Sequence, residues 1–187
     1  KYAVLTDDLE MAVDLIERVI QESTAWSTGE ISTLVGWLDA LPSQLLKSRP
    51  ALCLHASRAW YISGKMGLAE KFLNFAEHSL AEKPLLDSNN EGLLAIASER
   101  RAAHAIIQGD LNFGIEKINF ALDHLPKEEA YDRARAKAIL GLAYGLRGDL
   151  DKGYSYLIEA SDHAYAAGVS FMTMVTRCEA SLLQITQ

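Results

Sequence analysis

Basic residues, cysteine and proline are all scarce in this chain, and each shortage argues against a class of protein. With 18 Lys and Arg against 25 Asp and Glu, the net charge is −7, which opposes binding to nucleic acid because such proteins normally concentrate Lys and Arg on one surface. The two cysteines, Cys53 and Cys178, lie far apart and provide neither a disulfide framework nor a four-ligand zinc site. Only four prolines among 187 residues suit a largely helical protein.

Long apolar runs and catalytic motifs are also lacking. No apolar run approaches the roughly 18 residues that a membrane-spanning helix needs, and the first residues lack the basic and apolar segments of a signal peptide. We therefore expect a cytoplasmic protein without a membrane partner. No phosphate-binding loop occurs, because the one Gly-Lys pair, Gly64-Lys65, is followed by Met66. No nucleophile elbow is present either, so we expect no cofactor in this segment and no enzymatic activity.

Four glycines mark an internal repeat in the sequence. Gly29, Gly64, Gly109 and Gly148 are separated by 35, 45 and 39 residues, which is typical of a two-helix repeat with connections of variable length. Small or apolar residues follow each glycine at offsets of five, nine and twelve, close to one helical face. These positions are Leu34, Leu38, Leu41, Ala69, Leu73, Ala76, Gly114, Ile118, Ala121, Gly153, Leu157 and Ala160.

Each repeat glycine is predicted to join two helices. A short turn between antiparallel helices needs a residue that tolerates positive φ, which glycine does. Asp110 and Asp149 follow their glycines directly and are predicted to cap the next helix. Pro50 is predicted to open a helix, with Ser48 as its cap.

The predicted fold class is all-α: a right-handed superhelix of antiparallel helix pairs, or tetratricopeptide-like α-solenoid. Residues 1–187 would form a single repeat domain, since a pair of this length buries its apolar face only by stacking on its neighbours. The predicted pairs span residues 7–42, 49–83, 91–126 and 131–167, followed by a single helix over 170–187. Gly114 and Gly153 stand where alanine is usual, and no sequence feature explains them.

Several motifs point to a family. The segments Trp37-Leu38-Asp39-Ala40-Leu41-Pro42, Ser48-Arg49-Pro50-Ala51-Leu52-Cys53-Leu54 and Ala59-Trp60 resemble the tetratricopeptide-like sensor region of MalT-type LuxR-family transcriptional regulators. Two later stretches are similar to further units of that region. They are Gln108-Gly109-Asp110-Leu111 leading to Ala121-Leu122-Asp123-His124-Leu125-Pro126, and Leu140-Gly141-Leu142-Ala143-Tyr144 leading to Leu146-Arg147-Gly148-Asp149-Leu150.

This resemblance implies a sensor fragment of a longer, ATP-dependent transcriptional activator. In that family an N-terminal nucleotide-binding module, where ATP is expected, and a C-terminal helix-turn-helix flank the repeats. The repeats respond to a small-molecule inducer or a regulatory protein, and the flanking domains of the parent chain are partners as well. An alternative left open is a constitutive tetratricopeptide adaptor that holds a partner protein or peptide in its concave groove. An enzyme with an unrecognised active site is a third.

In such superhelices the first helix of each pair lines the concave surface. This register places six candidate ligand-binding or partner-binding residues there: His55, Arg58, Tyr61, Glu99, Arg100 and Arg135. Arg and Tyr are common in binding surfaces, although a solvated face is the more usual explanation of such charge clusters. Truncation of Arg58, Tyr61 or Arg135 is expected to weaken a ligand response and to leave stability nearly unchanged.

The last predicted helix lacks a partner helix. It places Val175, Cys178, Leu182 and Ile185 at inward or groove-lining positions. We expect the native chain to continue past Gln187, and this fragment to associate weakly with itself through the apolar face left exposed.

Overall fold

A computed structural model describes residues 9–21, 31–82, 88–127 and 129–185, and every regular element in these ranges is an α-helix. The chain divides into two compact units, residues 1–83 and 84–187. The helices of unit 1 are α1 Leu9–Gln21, α2 Ile31–Ala40, α3 Ser43–Lys47, α4 Pro50–Ile62 and α5 Met66–Ala81. Those of unit 2 are α6 Ser88–Ile107, α7 Leu111–His124, α8 Ala130–Leu146, α9 Leu150–Ala166 and α10 Ser170–Ile185.

The helix pairs are joined by glycine turns, as the sequence predicts. Gly64, Gly109 and Gly148 have φ angles of 79°, 89° and 89°, a left-handed conformation that costs glycine little. Gly29 lies outside the described residues. The structure adds a turn that the repeat analysis missed, at Gly168 with φ 72°, between α9 and α10.

The predicted helix caps are correct in two cases and wrong in one. The Asp110 carboxylate accepts a hydrogen bond from the Phe113 N–H at 3.2 Å, and the Asp149 carboxylate accepts one from the Lys152 N–H at 3.4 Å. Each satisfies a backbone donor that the first turn of a helix leaves free.

Ser48 is not the cap of α4. Its hydroxyl donates to the Leu45 carbonyl at 2.8 Å, because the five-residue helix α3 ends beside it and leaves a carbonyl to satisfy. Arg49 occupies the N-cap position instead, without a capping side-chain bond. Pro50 is the first residue of α4, as predicted.

The repeat positions form the core. All twelve residues at offsets of five, nine and twelve from the glycines are buried, which confirms the periodicity. Larger side chains fill the space between paired helices: the Trp60 ring packs on Phe72 at a centroid distance of 4.7 Å, and Tyr144 stacks on Tyr156 at 5.5 Å.

Some glycines inside the helices of unit 2 mark places where two helices approach too closely for a side chain. A Cβ atom on Gly153 would lie 2.9 Å from the Gly145 nitrogen and 3.0 Å from the Gly141 oxygen. A Cβ on Gly114 would lie 2.5 Å from a side-chain carbon of Ile106. These distances are shorter than carbon contacts allow, which explains why Gly114 and Gly153 replace alanine.

The same contacts fix the direction of the helices. Gly141 of α8 meets Leu157 of α9, while Gly145, one turn later, meets Gly153, one turn earlier. Contacts that advance along one helix and retreat along the other require an antiparallel pair. Leu183 of α10 reaches both Gly145 and Gly153, so three helices meet at this point.

In unit 1, Asp39 connects α2 to α4 and to the turn that follows it. Trp60 Nε1 donates to Asp39 Oδ1 at 2.9 Å, and the Lys65 ammonium pairs with the other carboxylate oxygen. Burial favours the neutral acid, but these two hydrogen bonds outweigh it and hold the pKa of Asp39 below its usual value of 3.8.

We expect Asp39→Asn to reduce the stability of unit 1 near neutral pH by less than about 1 kcal/mol, the usual value of an exposed ion pair. Because the pKa of Asp39 is lower in the folded chain, its contribution is full above 3.8 and is lost as the pH falls through the folded pKa. In urea unfolding between pH 7 and 2.5, the free energies of unfolding of the parent chain and of Asp39→Asn should therefore become equal at acid pH. The exposed Asp123 is the control, and an Asp39→Asn difference that is independent of pH would contradict the assignment.

Arg49 connects α1 to the start of α4. Its guanidinium donates to Glu10 and Asp14 at 2.7 Å each and to Glu17 at 2.9 Å. These three negative charges hold the pKa of Arg49 above its ordinary value, with Asp14 contributing most. The acidic residues lie at spacings of four and three, along one face of α1.

The last helix carries exposed apolar side chains. Phe171, Met174, Leu182 and Ile185 of α10 are exposed, Ile185 by 81%. Self-association through this face stays a prediction. No helix among the described residues combines the length and the apolar character needed to cross a membrane.

Candidate functional site

The six sequence-predicted binding residues fall into two sets. His55, Arg58 and Tyr61 lie three residues apart on α4 of unit 1, and each is half-buried. The others belong to unit 2, where Glu99 and Arg100 lie on α6 and Arg135 lies on α8. The structure brings this second set into direct contact.

Glu99 is the centre of a buried charge cluster, which we define as Glu99, Arg100, Arg135 and Asp132. Glu99 Oε1 accepts from Arg135 Nη2 at 2.5 Å, and Oε2 accepts from Arg100 Nη1. The exposed side-chain fractions are only 3% for Glu99, 4% for Arg100 and 11% for Arg135. The expectation that Arg135 can be truncated at little cost in stability does not fit this burial, because its removal would leave Glu99 with one cation fewer.

The outer edge of the charge cluster is more open. Asp132 Oδ1 lies 3.5 Å from Arg135 Nη1, three residues earlier on α8, and its side chain is 23% exposed. The Tyr131 ring centroid lies 6.0 Å from Arg135 Cζ, at the outer limit of a cation–π contact. Sequence analysis missed both residues, although the spacing of Asp132 and Arg135 on a predicted helix was a usable signal.

Small buried residues lie beside the charges on both α6 and α8. On α6, Ala95 and Ala102 join the core with Ile106, and the Ser98 hydroxyl donates to the Lys117 carbonyl of α7 at 2.9 Å. That face is therefore occupied by α7. On α8, Ala134 and Ala136 flank Arg135 and are fully buried.

The two guanidinium groups are not equally well compensated. Burial, and then the nearby positive charge of Arg135, lower the pKa of Arg100. Burial also opposes the charge of Arg135, but Glu99 and Asp132 outweigh it and raise the pKa of Arg135. Arginine stays protonated in proteins, so the difference means that Arg100 carries a buried charge with the poorer counter-charge.

Arg100 also holds an unsatisfied donor. Its Nε is buried and has no hydrogen-bond partner. A buried donor left without a partner costs about 1–3 kcal/mol. An unsatisfied buried donor in a folded protein calls for an explanation, such as a ligand, an ion or a water molecule that accepts its hydrogen bond.

No family model, curated protein or solved structure matches the chain.

Proposed function

We propose that the chain is a non-catalytic, ligand- or protein-binding sensor region of a MalT-like, LuxR-family transcriptional regulator. The charge cluster is its binding centre in unit 2, and His55, Arg58 and Tyr61 are its candidate contacts in unit 1. In this proposal the protein is cytoplasmic. ATP and DNA are bound by other domains of the parent chain, and the inducer is a small molecule or a regulatory protein.

Helix contacts within unit 2 support a tetratricopeptide-like stack. In such a stack the first helix of a pair touches its own second helix and also the first helix of the next pair. Helix α6 contacts both α7 and α8, and Leu183 of α10 contacts Gly145 of α8. We extend this to the whole chain as a right-handed superhelix of helix pairs.

The observation that carries the functional proposal is the burial of the charge cluster. A contact made only to hold two helices together is usually as stable or more stable when apolar, because buried ions lose their hydration. Here a carboxylate and a guanidinium are each less than 5% exposed at the meeting of α6 and α8. We propose that these charges are kept for recognition.

A thermal-shift screen of the 187-residue chain against sugars, amino acids, organic acids and nucleotides tests the proposal. A ligand present at 100 times its Kd stabilises the folded state by about 2.7 kcal/mol, which is readily detected. Hydrogen exchange with the best compound then separates a sensor from an adaptor. Changed protection in helices that do not contact the ligand supports a sensor, and local protection alone favours an adaptor. A chain that no compound class stabilises would contradict small-molecule sensing.

A further inference from the structure

The orphan donor of Arg100 and the charge count around it define an incomplete ion-pair site. Glu99 accepts hydrogen bonds from the guanidinium groups of Arg100 and Arg135, and the Nε of Arg100 has no acceptor. The three most buried members of the charge cluster are two cations and one anion, so the buried set has an uncompensated positive charge. Asp132 supplies a second carboxylate, whose Oδ1 lies 3.5 Å from Arg135 Nη1. Its charge also favours protonated Arg100, but it forms no hydrogen bond to the Arg100 Nε.

We propose that the charge cluster binds the planar carboxylate of a ligand, with Arg100 Nε as a donor, and that Asp132 is an internal competitor for this position. This deepens the proposed function and rests on it, since it names the chemical class that unit 2 recognises.

The chemistry of the guanidinium group selects a carboxylate. Its donors are arranged in a rigid fork that matches the two oxygens of a carboxylate or the oxygens of a phosphate. Glu99 accepts from Nη1 of Arg100, and the Nε hydrogen points away from Nη1 on the other side of the fork. A second carboxylate bound to Nε would therefore leave the bond between Arg100 Nη1 and Glu99 in place.

Exposure indicates the direction of entry. Asp132 is 23% exposed, against 11% for Arg135 and 4% for Arg100. A carboxylate ligand that enters on this side approaches Asp132 first and repels its carboxylate toward water. Hydration of Asp132 then offsets the loss of its weak ion pair with Arg135. The ligand carboxylate then neutralises the excess buried positive charge, which explains why an anion is favoured in a chain of net charge −7.

The test titrates the 187-residue chain, in a buffer without carboxylate or phosphate, and follows its unfolding temperature. The probes are acetate, pyruvate and succinate, each matched with its neutral amide. A short peptide with a free carboxyl terminus is matched with its amidated form, and phosphate and sulfate complete the set. We expect a saturable rise with carboxylates and none with the amides. The peptide pair distinguishes a peptide source from a small organic acid.

Two variants make the assignment specific. Arg100→Gln should weaken carboxylate binding at least about thirtyfold, as expected for the loss of a buried charged partner. Asp132→Asn should instead strengthen it about two- to fivefold, because the competing carboxylate is gone and such partly exposed pairs are weak. Asp123→Asn, on an exposed position of α7, should change neither. Far-ultraviolet circular dichroism checks that each variant is folded.

The gain in affinity is the decisive readout, because a purely structural role of the charge cluster would not produce it. A lack of any carboxylate response in both the parent chain and Asp132→Asn overturns the inference, and so does binding of phosphate or sulfate alone. If a sugar or another neutral compound stabilises the chain and Asp132→Asn leaves that response unchanged, the inference fails while the proposed function stands. If no compound binds, the inference and small-molecule sensing both fail.

Discussion

The Glu99→Gln chain should unfold with a free energy about 3–5 kcal/mol lower than that of the parent chain. This is the usual cost of removing one partner from a buried ion pair, because the remaining charge keeps its desolvation penalty and loses its compensation. Glu99 serves two guanidinium groups at once, so its neutralisation leaves both with a poorer counter-charge. Glutamine keeps the size of the side chain, and the loss is therefore electrostatic.

The matched control is Glu91→Gln on the same helix. Glu91 is exposed in the first turn of α6, where a negative charge contributes about 0.3–1 kcal/mol through the helix dipole. Urea unfolding followed by circular dichroism measures both. Equal losses in the two variants would mean that the charge cluster is well hydrated in solution, and would remove the main support for a binding centre there.

The second large effect is expected from Gly153→Ala, which should lower the free energy of unfolding by about 1–3 kcal/mol, the usual cost of overpacking. The new methyl group would lie 2.9 Å from the Gly145 backbone nitrogen. Backbone atoms cannot rotate away as a side chain can, so α8 and α9 must move apart. Leu183 of α10 would lie at 2.9 Å from the same methyl group and must shift too.

Gly92→Ala on α6 is the comparison variant, and we expect it to raise the free energy of unfolding where Gly153→Ala lowers it. A Cβ at Gly92 meets no atom within 4 Å, so alanine should stabilise the chain by about 0.5–1 kcal/mol through helix propensity alone. Thermal unfolding of the two variants gives the difference directly. If both substitutions stabilise, the close approach of α8 and α9 does not exist in solution.

The local features of this fold were predictable from sequence because they depend on neighbouring residues. A glycine followed by Asp, as at Gly109 and Gly148, specifies both a left-handed turn and the cap of the next helix. Helical spacing identified the buried face without knowledge of what covers it. Ser48 was misassigned because the short helix α3 changes which backbone group needs a partner.

Features that depend on the spacing of distant helices were not predictable in this way. Periodicity places Gly153 on a buried face, but only the position of Gly141 and Gly145 shows that a methyl group would not fit. Glu99, Arg100 and Arg135 were selected from the sequence as binding candidates, and the structure brings their side chains into contact. Their burial was not foreseen, because the sequence does not give the distance between α6 and α8 that brings them into contact.

The contact of Arg49 with α1 has a consequence for how freely that helix can move. The hydrophobic effect is not directional, so apolar contacts orient a helix only through the fit of its side chains. Glu10, Asp14 and Glu17 occupy about two turns of α1, and all three reach one guanidinium group. A roll of one residue, about 100°, would break all of these bonds together. Partly exposed ion pairs add little stability, so the main effect of Arg49 is to fix the rotation of α1 about its own axis.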